Sequence, residues 1–128
     1  MEKEKLIAEL KNTKTYDREN ALVDLYVFLR SENETLNSKE NTQLFIELSQ
    51  WRDCSLSDGV ESYYDKKEVN ELIKLKRRAE YCFNQEIREK FIEGINTYNN
   101  QGDFSKIDEW IIENEWIIND FLVELANC

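Results

Sequence analysis

The chain of 128 residues contains no histidine and no proline, and it has only three glycines. The lack of histidine excludes a Ser-His-Asp triad, a Cys-His pair and any metal site with imidazole ligands. With so few glycines, the chain has neither the glycine-rich phosphate loop nor the dinucleotide-binding fingerprint. These absences exclude much of hydrolytic enzymology and the common routes to nucleotide binding.

Long apolar runs are also missing from the sequence. Apolar clusters such as those at residues 110–112 and 121–123 are far shorter than the roughly 18 residues that span a bilayer, and no hydrophobic segment follows the charged N-terminus. Cys54, Cys82 and Cys128 form an odd, widely spaced set that fits neither a disulfide framework nor a pair of close metal ligands. We therefore expect reduced thiols, no metal, no cofactor, no membrane partner and a cytoplasmic location.

Hydrophobic residues are nevertheless abundant. Hydrophobic residues make up 41% of the chain and include three Trp, six Tyr and six Phe, which is typical of a folded domain. These residues recur with the helical period between clusters of Asn, Ser, Thr, Asp and Gly, and no strand-like alternation of useful length competes. We therefore predict an all-α, single-domain bundle of about six helices over residues 1–128, with residues 1–14 as a loosely packed N-terminal arm.

Polar side chains indicate where several helices begin. Asp17 is placed to cap one helix, and Asn37 or Ser38 to cap the next long one. Ser105, with Asp108 three residues on, resembles a capping box for the last helical segment.

The sequence is compatible with two interpretations of each of two long helical segments. Residues 67–98 form either one long helix or two helices that meet near Asn84, and residues 105–128 are either continuous or interrupted near Asn114. The following side chains are expected to be largely buried: Leu48, Trp51, Trp110, Ile111, Phe121 and Leu122.

Charge is unevenly distributed. The chain has 27 acidic and 17 basic residues, a net charge of −10, and residues 103–128 contain seven acids but only the base Lys106. Acids four or seven residues apart lie roughly 6 to 10 Å apart along one side of a helix. Duplex DNA carries its phosphates about 3.4 Å of axial rise apart on each strand, so a rigid array of carboxylates can present a comparable spacing. These carboxylates form either a decoy for a basic protein or a merely solvated face. The candidate partner-binding residues are Asp108, Glu109, Glu113, Glu115, Asp120 and Glu124.

The same net charge argues against direct nucleic-acid binding, because the chain as a whole repels phosphate. One basic cluster interrupts the acidic sequence, and we expect it to pair with the protein's own acids. Its members are Lys74, Lys76, Arg77 and Arg78.

Residues 56–65 resemble a motif in a family of small acidic helical bacterial proteins that is named for a DNA-mimic member. Asp58-Gly59-Val60 stands where that family has Asn-Gly-Gly-aromatic, and Ser62-Tyr63-Tyr64 stands where it has a Gln-Tyr-Phe-type pair. The second glycine and its aromatic neighbour are missing here, while the acidic, aromatic C-terminal third is also similar. The motif residues are Asp58, Gly59, Tyr63 and Tyr64.

The resemblance implies an all-helical fold that is often dimeric, so a homodimer is one expectation. For the named member it implies an acidic surface that occupies the DNA-binding groove of a transcription factor. Independently of the family, Gly59 is suited to a positive φ before a helix. Tyr63 and Tyr64 fit either core packing or a binding role.

The sequence thus favours a non-enzymatic acidic protein that binds a basic protein, acting as a DNA mimic toward a DNA-binding protein. An immunity or antitoxin-type inhibitor of a basic nuclease or toxin is the alternative in the same physical class. A carboxylate- or metal-dependent enzyme is the less favoured alternative, and no catalytic residue is assigned.

Overall fold

The structure is a computed structural model that describes residues 2–11 and 15–127, and all its regular elements are helices. The all-α prediction is therefore confirmed for the described residues. They form eight helices rather than about six, because both segments of open continuity are broken. The helices are α1 (Glu2–Glu9), α2 (Thr15–Ser31), α3 (Lys39–Ser57), α4 (Glu61–Asp65), α5 (Val69–Cys82), α6 (Gln85–Asn99), α7 (Ser105–Glu113) and α8 (Glu115–Asn127).

Asparagine side chains mark both breaks. Asn84 adopts an extended backbone with φ −64° and ψ 161°, and its side chain accepts a hydrogen bond from the Ile87 amide, which caps α6. Asn114 ends α7 with φ −120° and ψ 27°, and its Nδ2 donates to the Trp110 carbonyl at 2.9 Å. Asn84 thereby satisfies an amide that the start of α6 leaves without a partner, whereas the Trp110 carbonyl also accepts from the Asn114 amide.

The predicted caps have mixed outcomes. Ser38 Oγ accepts from the Asn41 amide at 3.0 Å, so the predicted start of α3 is confirmed. The prediction for Asp17 is wrong, because α2 begins two residues earlier and Asp17 lies in its first turn. A carboxylate there still stabilises the positive end of the helix dipole.

The chain divides into two compact units whose boundaries fall within α3 and α8. The first comprises the described part of Met1–Ser49 with Asn119–Cys128, and the second comprises Gln50–Ile118.

In the first unit α1 packs against α2. Lys3 Nζ donates to the Thr35 carbonyl at 2.8 Å, and Leu10 is buried just after α1. Residues 1 and 12–14 of the expected N-terminal arm lie outside the described part of the chain. The other buried apolar side chains of this unit are Ala21, Leu22, Leu25, Leu29, Leu36, Leu44, Phe45, Leu48, Phe121, Leu122, Leu125 and Ala126.

In the second unit α4, α5 and α7 each pack against α6. An aromatic cluster forms its core, with ring centroids of Trp51 and Phe91 5.6 Å apart and those of Tyr64 and Phe104 5.8 Å apart. Further buried apolar side chains of this unit are Val60, Tyr63, Leu72, Leu75, Ala79, Phe83, Ile87, Ile95, Ile107, Ile111 and Ile118.

Burial follows the predicted stripes except near helix ends. Of the six side chains expected in the core, five are buried and Trp110 is only half-buried. Val69 and Cys82, which continue the apolar stripe of α5, are exposed because they are its first and last residues. Within the described ranges, no helix is both long and apolar enough to cross a membrane.

Candidate interaction surface

The carboxylate of Asp108 faces inward rather than toward solvent. Its Oδ1 accepts hydrogen bonds from Ser55 Oγ at 2.6 Å and from the Val60 amide at 2.8 Å. Asp108 thereby joins the first turn of α7 to the end of α3 and the start of α4. Of the six candidate partner-binding acids, this one serves the fold.

The capping box predicted from Ser105 and Asp108 is therefore wrong. The Ser105 amide and Oγ both donate to Asp103 Oδ1, at 3.0 and 2.6 Å. These two hydrogen bonds lower the pKa of Asp103, since they stabilise its charged form.

The glycine of the motif forms the turn that Asp108 holds. Gly59 has φ +102°, so its predicted positive φ is confirmed, and its amide donates to the Cys54 carbonyl at 2.8 Å. This closes the C-terminal end of α3 and lets α4 begin at once. Tyr63 and Tyr64 are buried, so their place is in the core, whereas Asp58 is exposed.

We expect Asp108→Ala to destabilise the protein by about 1.5 kcal/mol, because it leaves the Val60 amide and the Ser55 hydroxyl without their acceptor. Asp108→Asn is the matched control. Its amide oxygen can still accept from both groups, so this variant should lose less stability than Asp108→Ala. Urea unfolding followed by circular dichroism measures the difference. Equal losses for the two variants would show that the hydrogen bonds to Oδ1 contribute little.

Three further candidate acids of the second unit lie on α7 and at the α7–α8 break. Glu109 and Glu113 are exposed and four residues apart on α7, and Glu115 is half-buried at the start of α8. Positions i, i+3 and i+4 of a helix are neighbours, so Glu109, Ile112 and Glu113 share one face.

Two large exposed apolar side chains are close to these acids in the sequence. Ile112 is 56% exposed and Trp116 is 62% exposed, on either side of Asn114. We call Glu109, Ile112, Glu113, Glu115 and Trp116 the Trp116 surface. The apolar pattern of the sequence already signals it, because Ile112 and Trp116 fall off the seam that the other apolar residues of 105–128 follow.

The remaining two candidate acids belong to the first unit. Asp120 and Glu124 are exposed, four residues apart on α8. Arg18 Nη2 donates to Asp120 Oδ1 at 2.5 Å, so this carboxylate has an internal partner. Such an exposed ion pair contributes little to stability, but it reduces the negative charge that Asp120 offers to a partner.

The basic cluster differs from the expectation. Lys74 and Arg77 are exposed and Lys76 is half-buried, and within the described residues none of the three forms an ion pair with an acid of the chain. The prediction that the cluster pairs with the protein's own acids is thus wrong for these three. They share α5 with the exposed acids Glu71 and Glu80, which lie three residues before Lys74 and three residues after Arg77.

An open groove of about 580 Å³ lies along α6. Its charged lining residues are Arg88, Glu89, Glu93 and Asp103. The lowered pKa of Asp103 is opposite to what a general acid requires. Among the described residues, no group of three or more Asp, Glu or Cys side chains is arranged to hold a metal ion.

Comparison with family models, with curated proteins and with solved structures gave no match for this chain.

Proposed function

We propose that the chain is a non-enzymatic acidic interaction protein that binds a basic protein through the Trp116 surface. The observation that carries this proposal is the exposure of Trp116 and Ile112 beside exposed Glu109 and Glu113. Tryptophan is enriched among the residues that dominate binding energy, usually at the centre of a patch with a polar rim. Carboxylates at the rim attract a basic partner and repel nucleic acid.

DNA mimicry toward a DNA-binding protein is one form of this function. Its support is the helical spacing of Glu109 and Glu113 on α7, repeated by Asp120 and Glu124 on α8. The sequence resemblance to the DNA-mimic family is consistent with it.

An inhibitor of a basic nuclease or toxin, of the immunity or antitoxin type, is the second candidate. It is favoured by Trp116 itself, since an aromatic anchor has no counterpart in a phosphate backbone but fits an apolar pocket beside a basic active site.

The proposal predicts that Trp116→Ala weakens binding of the captured basic partner by roughly 30-fold or more. The double change Glu109→Gln, Glu113→Gln should mainly slow association and flatten its salt dependence, because exposed charges steer encounter. The partner is captured on the immobilised chain at low salt, purified, and titrated at several salt concentrations.

Glu86→Gln with Glu89→Gln is the matched control, since it removes two exposed acids from α6 and should leave binding unchanged. Competition by duplex DNA for the same partner surface would favour DNA mimicry, whereas loss of a nuclease activity without DNA competition would favour the inhibitor. Wild-type binding by both the Trp116 and the double Glu variants would exclude the Trp116 surface as the binding site.

A further inference from the structure

The α7–α8 break places two carboxylates and an exposed indole in one turn of the chain. A single residue, Asn114, separates the two helices, and the Ile117 amide donates to the Asn114 carbonyl at 3.0 Å, so the chain turns tightly there. Glu113 and Glu115 flank Asn114, and Trp116 follows at once. Three residues span at most about 11 Å even when fully extended, so a partner side chain that contacts Trp116 can also reach Glu113.

The carboxylates of the Trp116 surface are available to a cation. Within the described residues, Glu109, Glu113 and Glu115 form no hydrogen bond or ion pair. Lys106 on α7 lies one turn before Glu109 and therefore offsets part of its charge, but it lies two turns before Glu113. Glu113 and Glu115 are thus the carboxylates next to Trp116 that have no base of α7 or α8 within one turn.

Helix dipoles distinguish these two acids. Glu113 is the last residue of α7, and none of the described residues in the last turn of α7 is basic, so the negative end of the helix dipole adds to its charge. Glu115 lies in the first turn of α8, where the positive end of that helix dipole offsets its charge. Glu113 is therefore better placed than Glu115 to hold a positive charge beside Trp116.

An arginine side chain uses the indole and the carboxylate at once. Its guanidinium is planar, weakly hydrated and always charged, so it can stack on the indole while its N–H groups donate to a carboxylate. A lysine ammonium can pair with the carboxylate, but it is strongly hydrated and has no planar face. An aliphatic side chain would cover the indole and leave the carboxylate without a partner. Trp116 is 62% exposed, so its ring is accessible to a guanidinium.

We infer that the Trp116 surface recognises an arginine of its basic partner, whose guanidinium stacks on Trp116 and pairs with Glu113. The inference rests on the proposed function, since it names the partner side chain that the same surface binds. Proteins that bind DNA use arginine to hold phosphates and to read guanine, so an arginine bound here is withdrawn from nucleic acid. In this contact Trp116 is a platform for a cation and not an anchor that enters an apolar pocket.

The probes for this inference are two blocked peptides of equal length and charge, tetra-arginine and tetra-lysine. Each is titrated into the isotope-labelled chain, and binding is followed by the backbone amide resonances of residues 113–117. The wild-type chain should bind tetra-arginine about threefold or more tightly than tetra-lysine. Because the two peptides carry the same charge, their general attraction to an acidic protein cancels in this ratio.

Variants identify the side chains that produce the preference. Trp116→Leu keeps an apolar side chain but removes the aromatic face, so it should bind the two peptides equally. Glu113→Gln should weaken binding of tetra-arginine more than Glu115→Gln does. Tyr81→Leu is the matched control, since it removes an 83% exposed aromatic side chain on α5 and should keep the preference for arginine. Circular dichroism establishes that each variant is folded.

Equal binding of the two peptides by the wild type would overturn the inference. So would a preference for arginine that survives in Trp116→Leu, because the indole would then have no part in it. Equal losses in Glu113→Gln and Glu115→Gln would overturn the assignment of Glu113 as the paired carboxylate.

The captured basic partner separates these results from those for the proposed function. Trp116→Leu should weaken partner binding as much as Trp116→Ala does, since neither side chain offers a face to a guanidinium. Partner binding that Trp116→Leu retains and Trp116→Ala loses would overturn the arginine inference alone, because an apolar anchor would then suffice. Wild-type partner binding by Trp116→Ala would overturn the proposed function, whatever the peptides show.

Discussion

Gly94→Ala is expected to destabilise the protein by about 3 kcal/mol, through overpacking of the core of the second unit. A Cβ atom at Gly94 would overlap the Tyr64 hydroxyl oxygen and lie 2.5 Å from Tyr64 Cζ. The Tyr64 ring is not free to move away, because its hydroxyl accepts from Trp51 Nε1 at 2.8 Å and donates to the Phe91 carbonyl at 3.0 Å. Thermal and urea unfolding measure the loss.

Gly102→Ala is the matched control for this substitution. Its Cβ would lie 3.1 Å from Thr97 Cγ2, and Gly102 is exposed, so the neighbour can yield. In a double-mutant cycle, Gly94→Ala should be less harmful when Tyr64 is already Phe, because part of the overlap is removed. Wild-type stability of Gly94→Ala would mean that Tyr64 has room to shift.

The second large effect is expected from Tyr64→Phe, at about 2 to 3 kcal/mol. The change leaves the buried Trp51 indole N–H without an acceptor, and an unsatisfied buried donor is costly. The Phe91 carbonyl loses less, because it lies inside α6 and has a helical partner. Tyr81→Phe is the control, since it removes the hydroxyl of an exposed tyrosine and should be neutral.

The same hydroxyl makes stability depend on alkaline pH. Burial raises the pKa of Tyr64 strongly, and the hydrogen bond from Trp51 lowers it by less. Because the pKa of Tyr64 is higher in the folded chain than its unfolded value near 10, the stability that the buried, neutral hydroxyl contributes is fully present below about pH 10. It is lost as the pH rises further, at up to about 1.4 kcal/mol per pH unit. Above pH 10, the free energy of unfolding, measured by urea unfolding at several pH values, should therefore decrease more steeply with pH for the wild type than for Tyr64→Phe.

Local pattern was enough to predict the helices and several of their ends. The apolar period identifies the six predicted helical segments, two of which are each broken into two helices. Ser38 is one of the two expected caps of α3, the break near Asn84 is one of the two alternatives left open, and Gly59 has the expected positive φ. These features depend only on residues within one or two turns of each other, which is the range that a sequence pattern reports.

Contacts between distant segments were not predictable in this way. Asp108 has the local spacing of a capping residue, but its acceptor oxygen serves Ser55 and Val60, about 50 positions away in the chain. Position 94 needs a glycine because the ring of Tyr64, 30 positions earlier, leaves no space for a Cβ atom. The sequence indicates this only by a glycine inside a helical pattern.

The candidate site shows the same limit. The acids of residues 103–128 are visible in the composition, but only the structure separates Glu109 and Glu113 from Asp108, which is hydrogen-bonded within the fold, and from the ion-paired Asp120. The exposure of Trp116 depends on how the helices pack. It is not expected from the residue type, because a Trp on a helix is more often part of a core. Its position off the apolar seam is the signal that points to the surface.

The close approach of Gly94 to Tyr64 also constrains how this sequence can diverge. A side chain at position 94 is compatible only with a smaller ring or an aliphatic residue at position 64, and such a residue leaves Trp51 without its hydroxyl acceptor. The three positions must therefore change together, so an aligned set of relatives should show them as a covarying triplet. A relative that keeps an aromatic hydroxyl at the end of the 62–64 motif can be recognised by a glycine 30 residues later.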